Sequence, residues 1–197
     1  MRNRVIKTKI LAKREESGFT LIEAVIAIVI LTIGLIGTAA AVTFALEFTS
    51  ISRNVTSGKL VIVSTIEEVE SLRNTRRLEF KQIANVGAVD NTDVDNPFEG
   101  FSTGWKPVST VPGPDGVFGT DDDLTSPGAD GVYGTVDDVT DNSLARKGFS
   151  REIVISFLPG STVLKKVEVN VRYPAAQGKI GQISGVGYLN DEFRITR

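Results

Sequence analysis

From Phe19 to Leu46 the chain runs for 28 residues with one charge, Glu23, and no proline. As α-helix that stretch extends roughly 42 Å at about 1.5 Å per residue, enough to cross a bilayer. Ahead of it, residues 1–18 hold six basic side chains (Arg2, Arg4, Lys7, Lys9, Lys13, Arg14) against Glu15 and Glu16. A basic start followed by an apolar run is a targeting arrangement. The basic flank is expected to stay in the cytoplasm, with everything after the apolar run outside.

Three readings of this segment compete. A secretory signal peptide has the same layout, and Ala39-Ala40-Ala41 would serve as its cleavage site. Its apolar region, however, is usually about 7–15 residues and carries no carboxylate. A plain single-pass anchor leaves Glu23 unexplained, because a charge deep in a membrane costs about 2.5 kcal/mol or more and usually marks function. The third reading uses Glu23. A cut between Gly18 and Phe19 gives Phe19 a free amino group, and Glu23 follows four residues later, one helical turn on. In a low dielectric the two charges attract strongly and either alone is costly. In an assembly, Glu23 of one subunit would neutralise the amino terminus of the next and so set the register.

The stretch Gly18-Phe19-Thr20-Leu21-Ile22-Glu23, after a basic leader and before a long apolar helix, resembles the type IV prepilin signature. The resemblance implies that a prepilin peptidase cuts after Gly18 and methylates Phe19, and that Glu23 is the assembly charge. It also implies the partners: other pilins or pseudopilins, inner-membrane assembly proteins, and membrane lipid before assembly. The expected location is the inner membrane as a single-pass chain with its N-terminus in the cytoplasm, then a pilus or periplasmic pseudopilus. The match covers residues 1 to about 46. It departs from many major pilins in lacking a central proline. Gly34 and Gly37 stand in that neighbourhood, each weakening a helix by about 1 kcal/mol relative to alanine. They supply local flexibility or close helix approach, or are the ordinary glycines of a membrane helix.

Residues 47–86 read as an amphipathic continuation of the helix. Ile62, Ile66, Val69 and Leu72 form the apolar stripe, and Glu67, Glu68, Glu70, Arg73, Arg76 and Arg77 lie largely opposite. The phrase Ile66-Glu67-Glu68-Val69-Glu70-Ser71-Leu72-Arg73 resembles the equivalent helix in minor pilins of the pilus-modification type and in minor type II secretion pseudopilins.

Residues 87–148 are rich in Gly, Pro, Asp, Ser and Thr and read as loop. Within them Gly113–Asp123 recurs as Gly128–Asp138, identical at eight of eleven positions. Asp115-Gly116 and Asp130-Gly131 are turn dipeptides. Phe118 and Tyr133 are expected to plant one aromatic each on the domain below. Clustered carboxylates repel, and calcium would relieve that repulsion, since it takes six to eight oxygens in a flexible loop. The candidate ligands are Asp115, Asp122 and Asp123 in one unit and Asp130, Asp137 and Asp138 in the other. The units match neither the EF-hand nor the glycine-rich nonapeptide pattern, so the competing reading is a solvated insertion of aspartate-capped turns.

Residues 149–197 read as antiparallel sheet. The runs 149–158 and 162–173 flank Pro159-Gly160-Ser161 as a hairpin. Val167, Val169, Val171 and Tyr173 share one face, and Ile153, Ile155 and Phe157 form the apolar face of the first run. Residues 174–185 read as turn-rich, with a further strand from Gly187 to Thr196. The expected fold is therefore α+β and pilin-like: a long N-terminal helix, its first half membrane-spanning, packed on a C-terminal antiparallel sheet.

Histidine and cysteine are both absent. That removes disulfides, Cys-based zinc sites and the usual nucleophile–base pairs, so no enzyme is expected and no cofactor is required. The formal net charge is −2 with all the leader's excess positive, which gives no cationic surface for nucleic acid. Two function classes remain. One is a structural subunit, a minor pilin or pseudopilin, of a type IV pilus or related secretion fibre. The other is a membrane-anchored calcium-binding or adhesive surface module that does not enter a fibre.

Overall fold

The computed structural model describes residues 18–191. The expected leader, 1–18, lies outside the described residues up to residue 17, as does the end of the expected last strand. The chain divides into two compact units, one up to Leu46 and one from Glu47 onward. Helix α1, Leu21–Asn74, contributes to both.

In the first unit every large apolar side chain of α1, from Leu21 to Leu46, is exposed. Such a helix, apolar all round, belongs in lipid or among like helices. This is the one helix long and apolar enough to cross a membrane among the described residues. Its hydroxyls are satisfied internally: Thr32 donates to Ile28 O (2.7 Å), Thr38 to Leu35 O (2.9 Å) and Thr43 to Ala39 O (3.0 Å). No hydroxyl among these three needs a partner from lipid, which has none to give.

In the second unit the C-terminal part of α1 packs on a four-stranded antiparallel sheet of order β1-β4-β5-β6. Its strands are β1 Lys106–Ser109, β4 Ala145–Phe157, β5 Leu164–Pro174 and β6 Ile180–Asn190. A two-residue ribbon, β2 Thr125–Ser126 with β3 Val139–Thr140, stands apart. The helix buries Val61, Ile62, Thr65, Val69 and Leu72 against Ile153, Val167, Val169, Val171 and Leu189. The expected stripe is thus correct, with Val61 and Thr65 added on its flank. The two elements approach closely because β6 presents glycine. A Cβ on Gly187 would lie 2.7 Å from Ile66 Cγ2, and one on Gly185 would run into Ile62.

Three expectations change. The helix stops at Asn74 rather than continuing to 86. Arg76 takes φ 57°, Arg77 N–H donates to Leu72 O and Arg76 N–H to Arg73 O, both at 3.0 Å, which is a Schellman stop with arginine in the place usually held by glycine. The third strand of the hairpin series begins at Ile180, pairing Pro174↔Ile180 through Leu164↔Asn190, where the sequence reads as turn. The 87–148 region is mostly turn, yet it gives β1 to the sheet and buries Phe98, Phe101, Val108 and Val117 in the core.

Side chains complete the sheet where β1 is too short. Asn85 Nδ2 donates to Ile153 O and Asn85 Oδ1 accepts from Ile155 N–H, both at 2.8 Å. One amide thereby covers the edge of β4 beyond β1, where unpaired strand groups would be a liability. Lys165, 3% exposed, donates to Phe80 O (2.7 Å) and Ile83 O (2.8 Å) and lies over the rings of Phe80 and Phe157. Burial lowers its pKa to about 8.

Candidate functional site

The N-terminal motif is built on the first turn of α1. Thr20 precedes the helix and its carbonyl accepts the first intrahelical bond, from Ala24 N–H. Glu23 N–H donates to Thr20 Oγ1 at 3.4 Å, while Glu23 Oε2 accepts from Thr20 N–H (3.4 Å) and from Thr20 Oγ1 (3.3 Å). This reciprocal arrangement is a capping box. It holds the Glu23 carboxylate at the positive end of the helix dipole, on the amide of the peptide that joins Phe19 to Thr20. Gly18 and Phe19 themselves lie outside regular secondary structure and are exposed, Phe19 at 75%. Thr20 was legible as a Thr-x-x-Glu pair, a signal the prepilin match alone does not use.

The six candidate aspartates fall into two loops of one internal design. In each, the first aspartate accepts from the amide two residues on: Val117 N–H to Asp115 Oδ1 (2.7 Å) and Val132 N–H to Asp130 Oδ1 (2.8 Å). The second accepts from the first aspartate's own amide: Asp115 N–H to Asp122 Oδ2 (3.0 Å) and Asp130 N–H to Asp137 Oδ2 (3.2 Å). The third accepts from a glycine amide: Gly119 to Asp123 (2.9 Å) and Gly134 to Asp138 (2.7 Å). Thr120 and Thr135 each bond the middle aspartate at 2.6 Å. Gly113 and Gly128 take φ 65° and 67° and pack against the carbonyls of Asp122 and Asp137, so any side chain there would clash and strain the backbone.

Each carboxylate is therefore engaged by the loops' own amides or hydroxyls, with one buried oxygen, Asp138 Oδ1, left without a partner. Among the described residues no group of three or more is gathered as a metal ion would need. The residue planted in the core is Val117, 2% exposed, one position before the expected Phe118; in the second unit Val132 is 56% and Tyr133 40% exposed.

The first unit has a counter-ion that the sequence did not suggest. Arg151 Nη2 lies 3.3 Å from Asp123 Oδ2, with each side chain 8% exposed, and Arg151 Nη1 donates to Thr65 Oγ1 at 3.0 Å. Burial pushes the Asp123 carboxyl above its ordinary range despite Gly119 N–H and Arg151. Burial likewise raises Asp115 to about 6, against the pull of Val117 N–H and helped by the charge of Asp122. Asp137, in the exposed copy, goes the other way, held down by its bonds from Thr135 and from the amides of Ala129 and Asp130.

No curated protein and no solved structure matches the chain. Its N-terminal segment, residues 13–39, matches the prokaryotic N-terminal methylation motif, and by that motif the chain is recognised as type IV prepilin-like, with processing by prepilin peptidase implied.

Proposed function

We propose that the chain is a structural subunit, a minor pilin or pseudopilin, of a type IV pilus or related secretion fibre. The observation that carries this reading is the placement of Glu23. Its carboxylate is fixed at the first turn of a lipid-facing helix, four residues after the residue that becomes the amino terminus. Assembly moves the apolar helix from lipid into a bundle of like helices. There the Glu23 carboxylate pairs with the Phe19 amino group of a neighbour, and each charge removes the other's desolvation cost. The subunit waits in the inner membrane until that exchange.

The reading needs no cofactor. A calcium ion at Asp130, Asp137 and Asp138 is an addition to it that would require these carboxylates to leave the amides and hydroxyl that now hold them, since no three are gathered for an ion among the described residues. Calorimetric titration of the full chain decides the point: heat that Asp138→Asn abolishes supports the ion, and no heat removes it.

The mature N-terminus tests the main reading. Mass spectrometry of the chain from membranes of a host with its native fibre machinery is expected to show N-methylated Phe19. A chain beginning at Met1 would sink it and leave the anchored, unassembled surface module, and one beginning after Ala41 would sink it and leave a secreted protein.

A further inference from the structure

The two acidic units share their internal hydrogen bonds and differ in their surroundings. The first is seated: Val117 is 2% exposed in the core and Asp123 meets the Arg151 guanidinium. The second carries the equivalent residues, Val132 and Asp138, without a seat. Val132 is 56% exposed, Tyr133 40% and Val136 fully so. Asp138 Oδ1 is buried with no hydrogen-bond partner, and among the described residues no salt bridge reaches that carboxylate. Residues 128–138 hold three aspartates and no Lys or Arg.

The seat of the first unit shows what such a loop packs on: apolar side chains beside a guanidinium. That chemistry continues on the surface beside the seat. A cavity of about 460 Å³ opens beside that seat, lined by Val61, Val108 and Phe118, by Thr65 and Arg151 of the seat itself, and by Glu68 and Arg146. Arg146 is exposed, 5.0 Å over the Phe149 ring, and is followed by Lys147. We propose that residues 128–138 of one copy dock into this cavity on a second copy of the chain, Val132 and Tyr133 entering it and the loop's acidic side facing Arg146 and Lys147. The two surfaces are different patches, so the contact is heterologous, giving a ring where the rotation closes and an open assembly where it does not. It goes beyond the proposed function and does not depend on it, since both surfaces lie after residue 47.

The absence of cysteine makes engineered thiols unambiguous. Full-length Val136→Cys and Ser64→Cys copies, both at exposed positions, are co-expressed in the native host and oxidised in intact membranes. The expected product is a disulfide heterodimer. Asp138→Arg should lower its yield about tenfold, the equivalent of one close ion pair across an interface, and Arg146→Asp on the partner should restore it. The yield should be the same in EGTA. No heterodimer, a yield indifferent to charge reversal, or a yield that requires calcium would each overturn the contact. The mass of the mature N-terminus in the same membranes separates that failure from failure of the prepilin reading, and normal levels of each variant exclude misfolding.

Discussion

Asp123 and Arg151 are 28 positions apart in sequence and 3.3 Å apart in space, and with Thr65 they join an acidic turn, strand β4 and helix α1 at one buried point. Removing one partner leaves the other buried and unpaired. We expect Arg151→Met to lower the unfolding free energy of the second unit by about 3 kcal/mol. The double variant Asp123→Asn/Arg151→Met should recover a large part of that loss. Urea unfolding of the detergent-solubilised chain measures both, and a double variant as unstable as the single one would show that the ion pair is not the cause.

The raised Asp115 gives the same turn a pH dependence. Its folded pKa, about 6, lies above the ordinary 3.8, so the folded turn binds a proton more tightly than the unfolded chain does. Stability of residues 113–123 therefore rises as pH falls through about 6 towards 3.8, and the penalty is fully present above 6. Amide exchange at Val117 and Gly119, corrected for intrinsic rate, should be slower at pH 5 than at pH 7. Asp115→Asn should flatten that difference. The exposed copy at 128–138, where the Asp137 carboxyl is held low, should show no such gain.

Much of this was legible in the sequence, and what was not has definite physical reasons. The apolar run and the alternation at Val167, Val169 and Val171 are local signals, and each forms the element expected of it, while the Gly18-Phe19…Glu23 spacing lies within the matched methylation motif. Strand β6 was misread because Ile-Gly-Gln-Ile-Ser-Gly-Val-Gly has the composition of a turn. Gly185 and Gly187 answer to Ile62 and Ile66 on the helix, a demand made across the fold and invisible along the chain. The helix stop at Arg76 carries no glycine to announce it. Arg151 and Lys165 sit on inward-facing positions of β4 and β5, where their partners, Asp123 and the carbonyls of Phe80 and Ile83, are supplied by loops with no periodicity. The duplicated unit was plain, but sequence identity could not tell that one copy is seated and the other is not.

The glycine contact is testable by paired substitutions. Gly185→Ala places a methyl against Ile62, and overpacking of this kind costs about 1–3 kcal/mol. Ile62→Ala alone leaves a gap and costs about 2–5 kcal/mol. Because the two changes are complementary in volume, the double variant should be more stable than the sum of the single losses predicts. Strict additivity in urea midpoints would mean that helix and sheet shift apart freely, and that β6 has no need of glycine there.

Glu23 has two roles in the first turn, and they can be separated. Glu23→Gln keeps a side chain able to close the capping box and removes only the charge. Thr20→Val removes the cap, at about 1 kcal/mol, and leaves the charge in place. If charge pairing with the neighbour's Phe19 amino group drives assembly, Glu23→Gln should be cut after Gly18 and methylated as in the parent, yet be missing from the sheared fibre fraction. Thr20→Val should still enter that fraction, at reduced yield. The opposite pattern, Glu23→Gln assembling normally and Thr20→Val excluded, would assign Glu23 to helix initiation and remove it from the contact between subunits.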